Sequence, residues 1–271
     1  MFETDKEVLQ WYENQPRALT KDFVNEIPWS EIKDHSLKPQ FVPVLLYMRD
    51  VEYCTDMYYR ELLRTPTGRD PVIRRFMDRW SVEELHHANL LNRFLNEAGF
   101  PTDEQWQNEV MRKIPWHYKV QAYLLDVLVK PFGRHFHAAH MVWGAINEIT
   151  TLQGYRRLAA LSGHPVLRQL LSGIVQEEAV HSSFYWNLAR VKLNQAKFSQ
   201  DLARFIVGRF WGPVGQGPKT EGEMHYVVRT LFWGTTGLEQ FNCKVANRIA
   251  RLPGFEGFTA LSEKIAPIVQ G

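Results

Sequence analysis

Trp80-Ser81-Val82-Glu83-Glu84-Leu85-His86-His87-Ala88-Asn89-Leu90-Leu91 decides the reading of this chain, because its three-four spacing is helical and yet places two ionisable groups among apolar ones. Extended in both directions, the line runs Ile73, Phe76, Trp80, Glu84, His87, Leu91, Phe94. Residues at these intervals share one helix face, so Glu84 and His87 are expected to point into a core. The alternative register through Glu83 and His86 also collects Arg79, Arg93 and Glu97, and is expected to be the solvated face.

A second segment behaves in the same way. Leu171, Ile174, Glu178, His181, Tyr185 and Leu188 lie on one face, and again a Glu and a His three residues apart interrupt an apolar stripe. Two further helical patterns each carry one inward carboxylate. The first is Phe41, Leu45, Met48, Glu52, Thr55, Tyr59 and Leu62, where Asp50 is the rival acid but lies on a line through Tyr53 and Met57 to Arg60 and Glu61, as a surface residue would. The other is Met141, Ala145, Glu148, Leu152 and Tyr155, and Glu148 is the one acid between Val127 and Gln176.

Four carboxylates in one core are costly unless they are compensated. Two divalent cations carry the matching charge, and each Glu-x-x-His supplies an oxygen and a nitrogen ligand from adjacent turns. One Glu from each of two helices and a Glu-x-x-His from each of two others is the ligand pattern of di-iron and di-manganese helical bundles. The expected metal ligands are therefore Glu52, Glu84, His87, Glu148, Glu178 and His181.

The rest of the chain agrees with an all-α fold. Breakers at Pro66-Thr67-Gly68, Gly99-Phe100-Pro101, Pro115, Pro131 with Gly133, Gly163 with Pro165, and the loop from Gly212 to Gly222 leave long helices at roughly 41–64, 71–98, 134–162 and 166–194. A single domain over residues 1–271 is expected, with a bundle core at 41–194 and accessory helices in 1–40 and 195–271. His135, His137 and His140 have no acidic neighbours in sequence and read as structural or surface residues. The loop Gly212-Pro213-Val214-Gly215-Gln216-Gly217-Pro218-Lys219-Thr220 nearly spells a phosphate-binding loop, but carries an extra proline and follows no strand, so it reads as a connector.

Composition narrows the class of function. The 271 residues are 45% hydrophobic and 23% charged, as in a globular protein, and 32 basic against 30 acidic side chains argue against an extended nucleic-acid surface. Cys54 and Cys243 form no CxxC pair, which suits a reducing, cytoplasmic compartment. The acidic start Met1 to Glu7 lacks the order of a secretory signal, and the apolar run Phe41 to Met48 is far short of the roughly 20 residues that span a bilayer.

At these motifs the chain resembles the soluble acyl-carrier-protein desaturases, over roughly residues 40 to 195. The Trp80 to His87 segment is similar to that family's Trp, two residues, Glu-Glu, two residues, His. Glu177-Glu178-Ala179-Val180-His181 is similar to its acidic pair followed by two residues and His, with Glu177 where Asp is usual. Glu52 is followed by Tyr53-Cys54-Thr55-Asp56, where the family commonly has Asp-Asn-Leu-Pro. The resemblance implies a ferritin-like four-helix bundle with two Fe ions, or Fe with Mn, and oxygen-dependent introduction of a double bond into a fatty acyl chain. It implies Glu177 as an outer acid bonded to a ligand histidine, and Thr151, three residues after Glu148, as a proton-delivering hydroxyl; a Thr bonded to its own helix backbone is the alternative for Thr151. It further implies an acyl carrier protein as substrate carrier, a ferredoxin-like electron donor and a homodimer. Arg69, Arg74, Arg75 and Arg79 offer either a docking patch for an acidic carrier or an ordinary solvated basic face. Di-iron hydroxylases and N-oxygenases share such ligands, although residue 174 is Ile where some N-oxygenases carry a further His. Ferritin-type iron storage shares them too, in chains that are usually much shorter.

Overall fold

The computed structural model describes residues 2–270, the side chain of Asp126 excepted, and is helical from end to end. Two short helices open the chain, α1 (Asp5–Glu13) and α2 (Lys21–Glu26). Then come the long α3 (Phe41–Leu62) and α4 (Pro71–Glu97), the shorter α5 (Trp106–Lys113) and α6 (Trp116–Val129), and the long pair α7 (Arg134–Ser162) and α8 (Pro165–Leu193). The C-terminal part consists of α9 (Lys197–Phe210), α10 (Glu221–Phe232), α11 (Gly234–Phe241), a π-helical turn at Asn242–Ala246 leading into α12 (Asn247–Ile249), and α13 (Ala260–Gln270). The long helices fall within two residues of the boundaries expected from the breakers.

Local chemistry sets those boundaries. Asp70 caps α4 by accepting from the Val72 and Ile73 amides, with Pro71 in the first turn, where a missing N–H costs nothing. Gly163 ends α7 with φ 68°, a left-handed conformation that favours glycine. One residue later the His164 imidazole accepts from the Leu167 amide and starts α8, so this tight reversal lays α8 back along α7.

α3 packs along α4, and α7 along α8. α4 and α8 meet through the stacked rings of Phe76 and Phe184, whose centroids are 3.8 Å apart, and α1 lies across both. α10 closes the far side against α3 and α7. The apolar stripes meet in one continuous core that includes Phe76, Phe94, Ile146, Leu171 and Phe184, all fully buried. Burial of a side chain of that size contributes about 1.5–3 kcal/mol.

The Gly212–Thr220 segment is a connector, held to α3 by the Tyr47 hydroxyl, which donates to the Val214 carbonyl, and by Lys219, which pairs with Asp50 at 3.0 Å. Asp50 is thereby a correction to the sequence reading. It is buried rather than on a helix surface, between Arg49 and Lys219. No helix among the described residues is long and apolar enough to cross a membrane.

Candidate metal centre

The four long helices bring Glu52, Glu84, His87, Glu148, Glu178 and His181 to one place in the interior, where none is more than 7% exposed. Their donor atoms form two overlapping groups. Glu52, Glu84, His87 and Glu178 make one, and Glu84, Glu148, Glu178 and His181 the other, with the donor atoms of each within 4.8 Å of one another. Glu84 and Glu178 belong to both, so each group has one private carboxylate and one private imidazole. His87 Nδ1 lies 3.3 Å from Glu178 Oε1 and 3.6 Å from Glu84 Oε2, while His181 Nδ1 lies 2.9 Å from Glu84 Oε1 and 3.9 Å from Glu148 Oε2.

The hydrogen-bond pattern separates donors directed at this centre from donors already used. Glu84 Oε1, both oxygens of Glu178, and the Nδ1 atoms of His87 and His181 are buried without a hydrogen-bond partner. Buried polar atoms are rarely left so. A set of oxygen and imidazole donors, all inward and unsatisfied, fits a pair of divalent cations.

The outer face of each imidazole is fixed by an acid from the other motif. His87 Nε2 lies 2.9 Å from Glu177 Oε2, and His181 Nε2 lies 2.8 Å from Glu83 Oε2. Such partners hold a ligand ring in one orientation and tautomer. Glu177 is itself held by the Ala18 and Leu19 amides, both donating to Oε1 at 3.0 Å. Glu83 accepts from Arg79 Nε at 2.7 Å and from the Tyr12 hydroxyl at 3.2 Å, and pairs with Arg17 at 3.2 Å. Tyr155 donates to Glu52, and Trp80 Nε1 donates to Glu148 at 3.0 Å.

Glu83 is therefore the second correction. The periodicity of α4 puts it on the same side as Arg79, but residues 12–17 cover that side, and Glu83 is only 3% exposed. The sequence carried a signal for it: Glu83-Glu84-Leu85-His86-His87 and Glu177-Glu178-Ala179-Val180-His181 share Glu-Glu-x-x-His, so a role given to the outer acid of one belongs to both. Removing Glu83 is expected to weaken metal binding about 10- to 100-fold, as loss of an outer partner does. His86→Ala is expected to leave binding unchanged, and competition with a chelator measures both.

The remaining expectations divide. Glu177 holds the His87 imidazole from its outer side. Thr151 lines a cavity that reaches Glu52, whereas its neighbour Thr150 is the one bonded to its own helix, at the Ile146 carbonyl. His137 is structural, with Nε2 at 3.1 Å from the Pro66 carbonyl. The basic span at the start of α4 is largely neutralised within the chain: Arg74 pairs with Asp78, Arg75 with Glu13 and Arg79 with Glu83.

Burial and the crowding of carboxylates hold Glu52 and Glu148 well above the usual carboxylate range. Burial acts the same way on Glu84, but the neighbouring Glu52 carboxyl and the His181 and His87 imidazoles outweigh it and hold Glu84 well below the usual carboxylate range. For the two histidines burial favours the neutral ring, and the surrounding carboxylates overcome it, so both are held well above 6.5. The metal-free centre thus stores protons. Groups with raised folded pKa values add stability below their unfolded pKa and lose it as pH rises through the folded value. The metal-free chain is accordingly expected to lose thermal stability as pH rises from 6.5 upward, and divalent metal to bind more tightly over the same range, releasing protons. A pH-indicator titration with Co(II) and calorimetry of the metal-free chain test the two halves.

Comparison with family models, curated proteins and solved structures gives no match for this chain.

Proposed function

We propose that the chain is a ferritin-like di-iron oxidoreductase, or one holding iron with manganese, that uses oxygen to oxidise an unactivated carbon, with desaturation of a fatty acyl chain as the reaction best fitted to it. The observation that carries this reading is the pair of overlapping donor sets sharing Glu84 and Glu178, with an apolar cavity running up to Glu52. When bound, two redox-active cations supply electrons and Lewis acidity for oxygen reduction.

The chain's own residues account for the rest. Met48, Thr151, Gly154, Val227, Leu231 and Phe241 wall the cavity of about 60 Å³, in which Glu52 is the one charged residue. Such a lining takes an apolar group and keeps out water that would divert a reactive oxidant. Tyr155 anchors Glu52 from the protein side, and Thr151 offers a hydroxyl in the cavity wall for proton delivery. A ferredoxin-like electron donor, an acyl-carrier substrate, a homodimeric assembly and a cytoplasmic location belong to the same proposal.

Iron titration and product analysis test it. Two irons per chain, with reductant-dependent oxygen uptake yielding an unsaturated acyl product, are expected. Hundreds of irons per assembly would establish storage instead, and a hydroxylated or N-oxygenated product would move the chain to those enzymes. Thr151→Val is expected to retain iron and fold while oxygen uptake exceeds product formation, as proton delivery falters; unchanged coupling returns Thr151 to a packing role.

A further inference from the structure

A second cavity, about 430 Å³ and open to solvent, lies beside the apolar one, and the two share Pro213 and Met224 as walls. Their chemistry differs sharply. The outer cavity is lined by Arg209, Arg229, Lys264 and His225, with Glu221 as its one carboxylate. Glu221 stands at the rim, its side chain 81% exposed, and lies 3.6 Å from His225. Lys264 donates to the Trp211 carbonyl and Arg229 Nε to the Ile268 carbonyl at 2.8 Å. These contacts fix the two cations in place and use one donor of each; a guanidinium has five N–H donors and an ammonium three. Burial and the charge of Arg209 lower the pKa of Lys264, as expected where cations converge.

We propose that this outer cavity binds the oxyanion head of an amphiphilic substrate, with Arg209, Arg229 and Lys264 as its counter-charges, and that the apolar tail passes Met224 and Pro213 into the narrow cavity that reaches Glu52. The inference rests on the proposed function for what happens at the tail, but not for binding. It moves recognition of the substrate's charge away from the start of α4, where the arginines are already paired, to the C-terminal helices α9, α10 and α13. Met224 suits the junction, because an unbranched thioether side chain adapts its shape at little cost. A carboxylate and a phosphate ester present the same oxyanion chemistry, and both are matched by a forked guanidinium. An acyl thioester carries no carboxylate, so tight binding of dodecanoate would replace the acyl-carrier substrate of the proposed function with a free acid.

The test uses the full chain loaded with zinc, which leaves the site filled and oxidation silent, and reads binding by calorimetry. Dodecanoate is expected to bind at least about tenfold tighter than dodecanol, since a charged hydrogen bond contributes about 1.5–3 kcal/mol. Affinity is expected to rise along the series from butanoate to dodecanoate. Dodecyl phosphate against dodecanoate decides which head is preferred. Arg209→Gln with Lys264→Gln is expected to remove the advantage of dodecanoate over dodecanol. Arg209→Gln alone serves as the milder variant, because Arg209 is exposed and its only described contact is over the Phe210 ring. Gly154→Ala puts a methyl into the inner cavity, where Met48 and Leu231 are at ordinary contact distance, and is expected to flatten the chain-length series while leaving butanoate unchanged. Equal binding of acid and alcohol, or full affinity for dodecanoate in both arginine variants, overturns the head site. An affinity independent of chain length overturns the path of the tail. If these ligands bind as expected and the iron-loaded chain leaves them unoxidised, the proposed function fails and the binding site stands.

Discussion

Glu178→Ala is expected to leave the chain with no tightly bound metal, and Glu84→Ala to do the same, whereas His87→Ala and His181→Ala each take metal content from two ions per chain to one. The difference follows from sharing. Glu84 and Glu178 belong to both donor groups, while each histidine belongs to one. Metal analysis of the purified variants reads the result, and equal losses from all four would contradict the two-group arrangement. A second signature separates loss of ligand from loss of fold. Glu178 is fully buried and its nearest charged neighbour is His87, with Nδ1 3.3 Å from Oε1, so the metal-free variant is expected to keep the helical circular dichroism of the metal-free parent while binding no metal. Glu52→Gln is expected to weaken metal binding, whereas Asp50→Asn leaves it intact, because Asp50 is engaged by Arg49 and Lys219.

The largest loss of stability is expected from Phe76→Ala. Phe76 is fully buried, stacks on Phe184, and meets Tyr12 at 4.8 Å and Tyr185 at 4.9 Å between ring centroids. One side chain thus joins α1, α4 and α8 directly behind His181. Truncating a buried phenylalanine costs about 3–5 kcal/mol, through lost transfer energy and the cavity left behind. For a chain of this size that lowers the melting temperature by on the order of 10 °C. Val82→Ala, on the outer face of the same helix at 54% exposure, is expected to change stability by less than about 0.5 kcal/mol. Thermal denaturation of the two variants side by side measures the contrast.

The helices and the six inward donors were legible because both depend on local spacing. A carboxylate in an apolar stripe needs only its neighbours three and four residues away to be noticed. Glu83 and Asp50 were misread for the converse reason. Their helix faces look solvated when only their own helix is considered, and become interior because Tyr12 and Arg17 in one case, and Lys219 in the other, arrive from far along the chain. The cavities were illegible on the same account. Their walls include Pro213, Met224, Val227 and Ile265 from the C-terminal segment, whose sequence is apolar in a way that states packing but not what is packed around.

The two outer acids have one more property in common. Glu177 is held by the amides of Ala18 and Leu19, and Glu83 by Tyr12 and Arg17, so the segment from residue 12 to residue 19 grips both imidazoles through their carboxylates. Lifting this strap would remove both amide donors from Glu177 and would leave Glu83 with Arg79 as its partner besides His181, loosening the two acids with the long helices still in place. Cations placed at the centre are then expected to exchange by local opening of this N-terminal segment and not by global unfolding, so that the rate of loss to a chelator should rise on Tyr12→Phe or Arg17→Ala. Metal retention would then be a kinetic property of eight residues that supply none of the six inward donors.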